Sequence, residues 1–393
     1  MKKTLAAVAV LGAFAGSALA ADVTLYGIVD TGFAYSHTDL DVKGQDATDK
    51  FSMESGQQSG SRIGFKGTED LGNGLTVGFV LENGFTSDDG AEKGVFFDRE
   101  ASLFLQGAFG KVAFGKIGSI NNGTSSWGKV GMLNAFGTSW GNSSLSNLFH
   151  LSTVYDNTIA YETPSFAGFK VYAQYSMGST KSEDTSNQDF NKWTAAETEN
   201  ESSTDRYYVI GATYNNGPIA AYLAVDSINY KSWTTTWKET TSDSSTTITE
   251  TTGAKDTDDS LTVTLGGSYD FEVVKVYFGA QYFDEVSGKK VEGSYSAGKS
   301  TGYALNLSAD APVAGGKAMF GVGYYDASEA DSVAKGSEFD VKRYIVSAGY
   351  TYPFSKRTNA YAVANYMQDK YEQGTTKLEP SVYSVMFGLR HQF

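Results

Sequence analysis

Two cations stand four residues apart in Ser61-Arg-Ile-Gly-Phe-Lys-Gly-Thr68, where Arg62, Gly64, Lys66 and Thr68 alternate with Ile63, Phe65 and Gly67. Side chains of a strand alternate faces with period two, so Arg62 and Lys66 share a polar face opposite an apolar one. Fixed cations along a wet wall do electrostatic work: they draw in anions and hold back cations. Glu82 falls on the parity of Thr76, Gly78 and Val80, and Arg390 on the polar parity of Val382–Phe393. Covalent chemistry has little to build on. The chain has three His (His37, His150, His391) and no Cys, with no Gly-x-Ser-x-Gly elbow and no His-Glu-x-x-His. No enzyme activity and no cofactor are expected. Asp256, Asp258 and Asp259 do not have the spacing of an EF-hand loop and read as a solvated acidic loop rather than a metal site.

The elements that must position these charges are strands. In the final twelve residues, Tyr383, Val385, Phe387, Leu389, His391 and Phe393 share one parity; Val382, Ser384, Met386, Gly388, Arg390 and Gln392 share the other. Arg390 excludes burial on both faces, and a soluble protein rarely leaves so apolar a strand at an open edge. Lipid on one side and water on the other satisfies both faces. The composition agrees: 44 Gly, 25 Tyr and 24 Phe against only 5 Pro suit strands and tight turns. Mean hydropathy is −0.29, and no run approaches the roughly 20 apolar residues of a membrane helix.

At the N-terminus, Lys2 and Lys3 precede an apolar core, Leu5 to Phe14, and the A-x-A site Ala18-Leu19-Ala20. This pattern predicts a cleaved export signal over residues 1–20 and a mature chain, one domain, over 21–393. Removing the two lysines takes the net charge from −14 to −16, which argues against nucleic acid as a partner. Without Cys, an exported chain must rely on hydrogen-bonded ladders for stability.

From Asp22 onward the alternation repeats, with short connections such as Asp70-Leu-Gly-Asn-Gly74, Asn215-Asn-Gly-Pro218 and Tyr269-Asp-Phe-Glu272. Between them lie long polar stretches near 37–59, 86–94, 118–153, 179–203, 230–258, 285–298, 328–339 and 371–378. Segment counting gives about sixteen strands, the first near 22–37, the fourth near 95–108 and the last near 380–393. Tight turns on one side and long loops on the other predict an all-β, closed, transmembrane antiparallel β-barrel with short periplasmic turns and long extracellular loops. In hydrocarbon every backbone donor needs an internal partner, so the sheet must close. An array of extracellular β-sandwiches would show strands too, but not the alternation of loop lengths. About sixteen strands leave an aqueous channel rather than a filled core.

Val23-Thr-Leu-Tyr-Gly27, the run Gly60-Ser-Arg-Ile-Gly-Phe-Lys-Gly-Thr-Glu-Asp-Leu-Gly-Asn-Gly74 and the ending Gly388-Leu-Arg-His-Gln-Phe393 resemble Gram-negative general porins of the betaproteobacterial type. The resemblance runs from residue 22 to the end, with gaps in the long loops. It implies a homotrimeric outer-membrane channel passing ions and small hydrophilic solutes by diffusion, with lipid, lipopolysaccharide and the barrel-assembly machinery as partners. The terminal strand ending in Phe393 would close the barrel and address the chain for assembly. The third long loop, 118–153, would fold inward and narrow the pore, facing basic residues that include Arg62 and Arg99. The lumen position of Arg99 rests on the resemblance, because the local alternation is ambiguous. Many relatives carry an Arg three positions before the Asn of Tyr155-Asp-Asn157, where this chain has Val154.

Loop 118–153 contains no Asp or Glu; Lys129 is its one basic residue besides the titratable His150. A basic wall opposite a neutral loop predicts weak anion preference, with Arg62, Lys66, Arg99, Glu82, Lys129 and Arg390 lining the pore. The loop also carries Trp127, Phe136, Trp140 and Phe149, which would either offer a stacking surface for sugars or, the preferred reading, anchor the loop. A substrate-preferring channel for a sugar or organic anion, and a barrel adhesin, are the alternative functions. The Thr/Ser run Trp233 to Thr252 is expected as an exposed loop sampling several conformations, with a hairpin as the alternative.

Overall fold

The computed structural model describes residues 22–178, 205–230, 258–291, 298–331 and 338–393, with the backbone of three further pairs at 235–236, 250–251 and 295–296. The leader assigned to residues 1–20, the polar stretch 179–203 and Asp256 lie outside the described residues.

Sixteen strands form the wall. The first eight are β1 (Asp22–Asp39), β2 (Arg62–Gly72), β3 (Leu75–Gly84), β4 (Glu100–Gly107), β5 (Gly110–Gly118), β6 (Val154–Glu162), β7 (Phe169–Ser176) and β8 (Arg206–Asn216). The second eight are β9 (Ile219–Asn229), β10 (Ser260–Asp270), β11 (Lys275–Ser287), β12 (Lys299–Val313), β13 (Gly316–Glu329), β14 (Phe339–Pro353), β15 (Thr358–Gln373) and β16 (Ser381–Gln392). Each pairs antiparallel with its chain neighbour, and β16 returns to β1 from Ile28↔Gln392 to Asp39↔Ser381. Phe393 accepts a backbone bond from Gly27 (3.2 Å) and returns one to it (3.1 Å), with its ring lying over that glycine. The cylinder has no open edge.

Alternation decides the two faces. In β14, Val341, Arg343, Ile345 and Ser347 are buried while Tyr344 and Val346 between them are exposed. Leu103, Leu223, Leu305, Phe320 and Phe387 likewise stand exposed on the outer face, an apolar band that hydrocarbon solvates. Tyrosine pairs such as Tyr324–Tyr344 (5.3 Å) and Tyr366–Tyr383 (4.8 Å) ring one end; Tyr269–Phe271 (4.5 Å) and Tyr352–Phe354 (5.6 Å) sit at the short turns of the other. Aromatic girdles of this kind mark the two membrane interfaces.

Three local expectations need correction. The polar run 37–59 holds a strand, Thr48–Ser55, that pairs antiparallel with the upper half of β1 from Thr31↔Ser55 to Thr38↔Thr48, above the stretch of β1 that pairs with β2. Its Phe51 and Met53 continue the outer apolar face, and Phe51 stacks on Phe33 (5.7 Å). The strand expected from residue 95 begins at Glu100 instead. The Asp98 carboxylate accepts the Gly84 N–H (2.6 Å) and the Arg99 side chain turns to Glu82, which holds residues 95–99 off the ladder. Within the Thr/Ser run, Thr235–Thr236 pairs antiparallel with Glu250–Thr251, a short hairpin rather than an unpaired loop; its remaining residues lie outside the described ones.

Candidate pore constriction

Loop 118–153 leaves β5, turns into the barrel and sweeps across the inner wall before returning to β6. Its path can be followed by its bonds. Near its start, Asn121 Nδ2 donates to Asp226 of β9 (3.2 Å) and the Ile120 N–H to Gln174 of β7 (3.0 Å). At the far side, Asn306 donates to the Leu133 carbonyl (2.7 Å) and the Ala135 N–H to Ser308 (3.0 Å), both on β12. The Trp140 N–H reaches the Gln57 carbonyl (2.5 Å), next to β1 and β2. On the return, Arg343 donates to the Asn147 carbonyl (3.1 Å), Gln281 accepts the His150 N–H (2.6 Å), and Ser152 bonds Asp226.

Inner-wall glycines make this close approach possible. A Cβ at Gly323 or Gly211 would overlap Leu148 or Ile120, and one at Gly349 would come within 3.0 Å of Phe136. A loop without acids of its own is held by the wall's acids. Glu100 accepts the Ser126 N–H and hydroxyl (3.0 Å each), and Asp226 takes Asn121, Ser152, Thr262 and Tyr207. Trp127, Phe136, Trp140 and Phe149 are 2%, 1%, 6% and 0% exposed, so none offers a stacking face to a passing solute. Phe136 meets Trp140 edge-on (6.2 Å), and Trp140 meets Tyr361 of β15 (5.3 Å). His150, expected to be titratable, is pushed well below the ordinary imidazole range by burial, with Lys289 and Arg343 adding repulsion, and is neutral at pH 7.

On the opposite arc the inner wall is charged and wetter. Arg99 Nε lies 2.6 Å and Arg62 Nη1 3.7 Å from Glu82 Oε1, while Tyr26 donates to Glu82 Oε2 (2.9 Å). Arg99 also donates to the Thr124 carbonyl of the loop (2.7 Å). Arg390 reaches Ser59 (3.0 Å) beside Arg62, above Asp30, which accepts Tyr361 OH (2.6 Å) and the N–H groups of Gln58 and Ser59 (2.8 and 2.7 Å). Lys66 is exposed on the same face, 5.2 Å from the Tyr26 ring.

Arg62, Arg99, Arg390 and Glu82 therefore come together, with Lys66 alongside. Lys129 does not join them. It lies beside β7, 5.9 Å from the Tyr172 ring, and burial pulls its ammonium pKa down. Val154 pairs with Gly118 at the foot of the loop and brings no charge. Residues that sequence reasoning missed are the anchors: Glu100, Asp226, Gln281, Asn306, Arg343 and Asp369. The available signal was polar side chains on inward parity in otherwise apolar strands. Among the described residues no cluster of three or more His, Cys, Asp or Glu is arranged to hold a metal.

A closed barrel with an apolar exterior, a polar interior and an infolded loop is a transmembrane channel. The Gram-negative porin family model matches residues 6–372, and the chain belongs to that family. It is 34% identical over 425 aligned positions, covering all of both chains, to an outer membrane porin protein of Bordetella pertussis. Among solved structures it shares its fold with the anion-selective porin from Comamonas acidovorans: TM-score 0.65, 24% identity, 95% of this chain and 100% of that one. The trimer form of OmpT, an outer membrane protein of Vibrio cholerae, matches with TM-score 0.53 and 18% identity over 95% of this chain and 100% of that one. The protein is an integral outer-membrane β-barrel, a channel that passes ions and small hydrophilic solutes by passive diffusion.

Proposed function

We propose that the channel prefers anions weakly and that loop 118–153 forms its constriction. One observation carries this: Arg62, Arg99 and Arg390 gather on one arc with Lys66 alongside, Glu82 and Asp30 are the acids set among them, and the facing loop has no carboxylate. Glu82 draws down part of the positive field, which is why the preference is weak. The anion-selective porin of the same fold agrees in direction. Reconstituted protein in a KCl gradient should give a reversal potential on the anion side, moved toward cations by Arg62→Ala. Clear cation selectivity of the unaltered channel sinks the reading.

The working form is proposed to be a homotrimer in lipid and lipopolysaccharide, exported through cleavage after Ala20. Phe393, seated over Gly27 where the last strand meets the first, is proposed to serve assembly rather than conduction. Deleting it should lower the yield of folded barrel while surviving channels conduct normally. A normal yield would remove the assembly role.

A further inference from the structure

Beneath the infolded loop, on the side of the short turns, lies a hollow of about 590 Å³ that the arginine arc does not line. Its roof is the loop, around Lys129 and Thr138; its wall is Lys170, Tyr172 and Thr213 of β7 and β8. A volume of several hundred Å³ is that of a small-molecule site rather than of an ion.

The charges are placed unequally. Among the described residues Lys129 makes one hydrogen bond, to the Ser126 carbonyl (3.2 Å), so two of its three N–H groups are unspent. Its ammonium is half-sheltered from water, which leaves it short of solvation that an anion would supply. Glu162 also lines the hollow, paired with Lys170 and acting on Lys129, so the two lysines exceed the one carboxylate by a single positive charge. Lys111, beyond it, is occupied over the Phe104 and Trp127 rings (4.3 and 4.8 Å). The rest of the lining is uncharged and polar or flat. Thr138 offers a hydroxyl, and Gly123, Gly128 and Gly131 let a solute come close to backbone groups, while Tyr172 (3% exposed) and Thr213 (4%) form the covered floor.

We infer that this hollow is a transient binding subsite for a small hydroxylated monoanion, such as a sugar acid. The carboxylate sits on Lys129 and the hydroxyls against Thr138 and the loop backbone. One excess positive charge selects one negative charge; the polar lining selects hydroxyls over alkyl chains. The subsite rests on the channel reading and lies apart from the arginine arc.

Single-channel KCl currents, recorded with gluconate, glucose or propionate added on the short-turn side, test it. Gluconate should reduce the current saturably, and glucose and propionate should do so only at far higher concentration. Lys129→Gln should raise the half-blocking gluconate concentration about tenfold, the order expected for loss of one charge-assisted hydrogen bond. Lys129→Arg should keep the block, and Lys377→Gln, at an exposed lysine of the last long loop, should leave it within about twofold. Glucose blocking as well as gluconate, or a block that Arg62→Ala abolishes and Lys129→Gln spares, overturns the subsite. Ohmic steps with no gluconate block overturn the subsite alone. Absence of conductance steps from folded protein would instead overturn the channel reading.

Discussion

Two arcs of the same inner wall use charge in opposite ways. Around Arg62, Arg99 and Arg390 the charges are partly open to the bore, with Glu82 and Asp30 as the acids among them. Around Asp226, Arg343 and Asp369 the charges are covered by protein; Arg343 and Asp369 side chains are 4% and 1% exposed, joined at 2.6 and 2.8 Å. Arg343 spends its remaining donors on the carbonyls of Asn147 (3.1 Å) and Lys290 (2.7 Å). A charge in the open arc is proposed to act on ions; a charge in the covered arc is consumed in holding the infolded loop.

The largest effect expected from this difference comes from breaking the covered pair. Removing one partner leaves the other charge buried and uncompensated, which costs about 3–5 kcal/mol. Arg343→Ala should therefore lower the unfolding midpoint in denaturant and make the open-channel current noisier, as the segment Asn147–Phe149 loses its hold. Arg62→Ala should leave the midpoint nearly unchanged while moving the reversal potential. If both substitutions destabilise equally, the two arcs do not differ as argued.

Period two alone makes the wall legible in the sequence: β14 alternates as its residues do, and Arg62 and Lys66 fall on the face their spacing assigns. The anchoring cannot be read the same way. Parity states that Asp226 and Arg343 point inward, but inward means the bore in one arc and protein in the other. The choice depends on the path of a loop whose partners are distant in the chain, 196 residues from Asn147 to Arg343 and farther from Trp140 to Tyr361. Arg99 is unreadable because it precedes its strand, in a turn where alternation has no meaning. The Thr48–Ser55 strand is hidden by Asp49, Lys50 and Glu54, although Lys50 and Glu54 pair with one another (3.4 Å) on the face opposite Phe51 and Met53 and do not interrupt the ladder.

A smaller effect sharpens the open arc. Glu82 touches Arg99 and Arg62 together, so it offsets part of the field they make. Glu82→Gln keeps a group able to accept from Arg99 and removes the negative charge. The reversal potential should move further toward the anion side, opposite in sign to Arg62→Ala and smaller, since Asp30 still faces Arg390. A shift toward cations would mean that Glu82 sets the posture of the arginines more than their charge.

The smallest effect concerns protons at the covered arc. Lys289, from the loop between β11 and β12, donates to the Ser146 and Phe149 carbonyls (2.7 Å each). Burial first, and Arg343 second, pull its pKa from 10.5 to about 7. The neutral amine still has two N–H groups for those two carbonyls, so the contact survives loss of the proton. When the loop is released, Lys289 returns to water and its ordinary pKa. Between about pH 7 and 10.5 the released form therefore binds more protons, and the anchored form gains as pH rises. Below about 7 both forms are protonated and the gain is gone. His150, pushed below its ordinary range, stays neutral throughout this window and adds no slope. Current noise should thus fall as pH rises from 7 to 9, and Lys289→Met should flatten that dependence. Noise that rises over this range, or that falls equally in the Met variant, would mean that the covered arc holds its loop without Lys289.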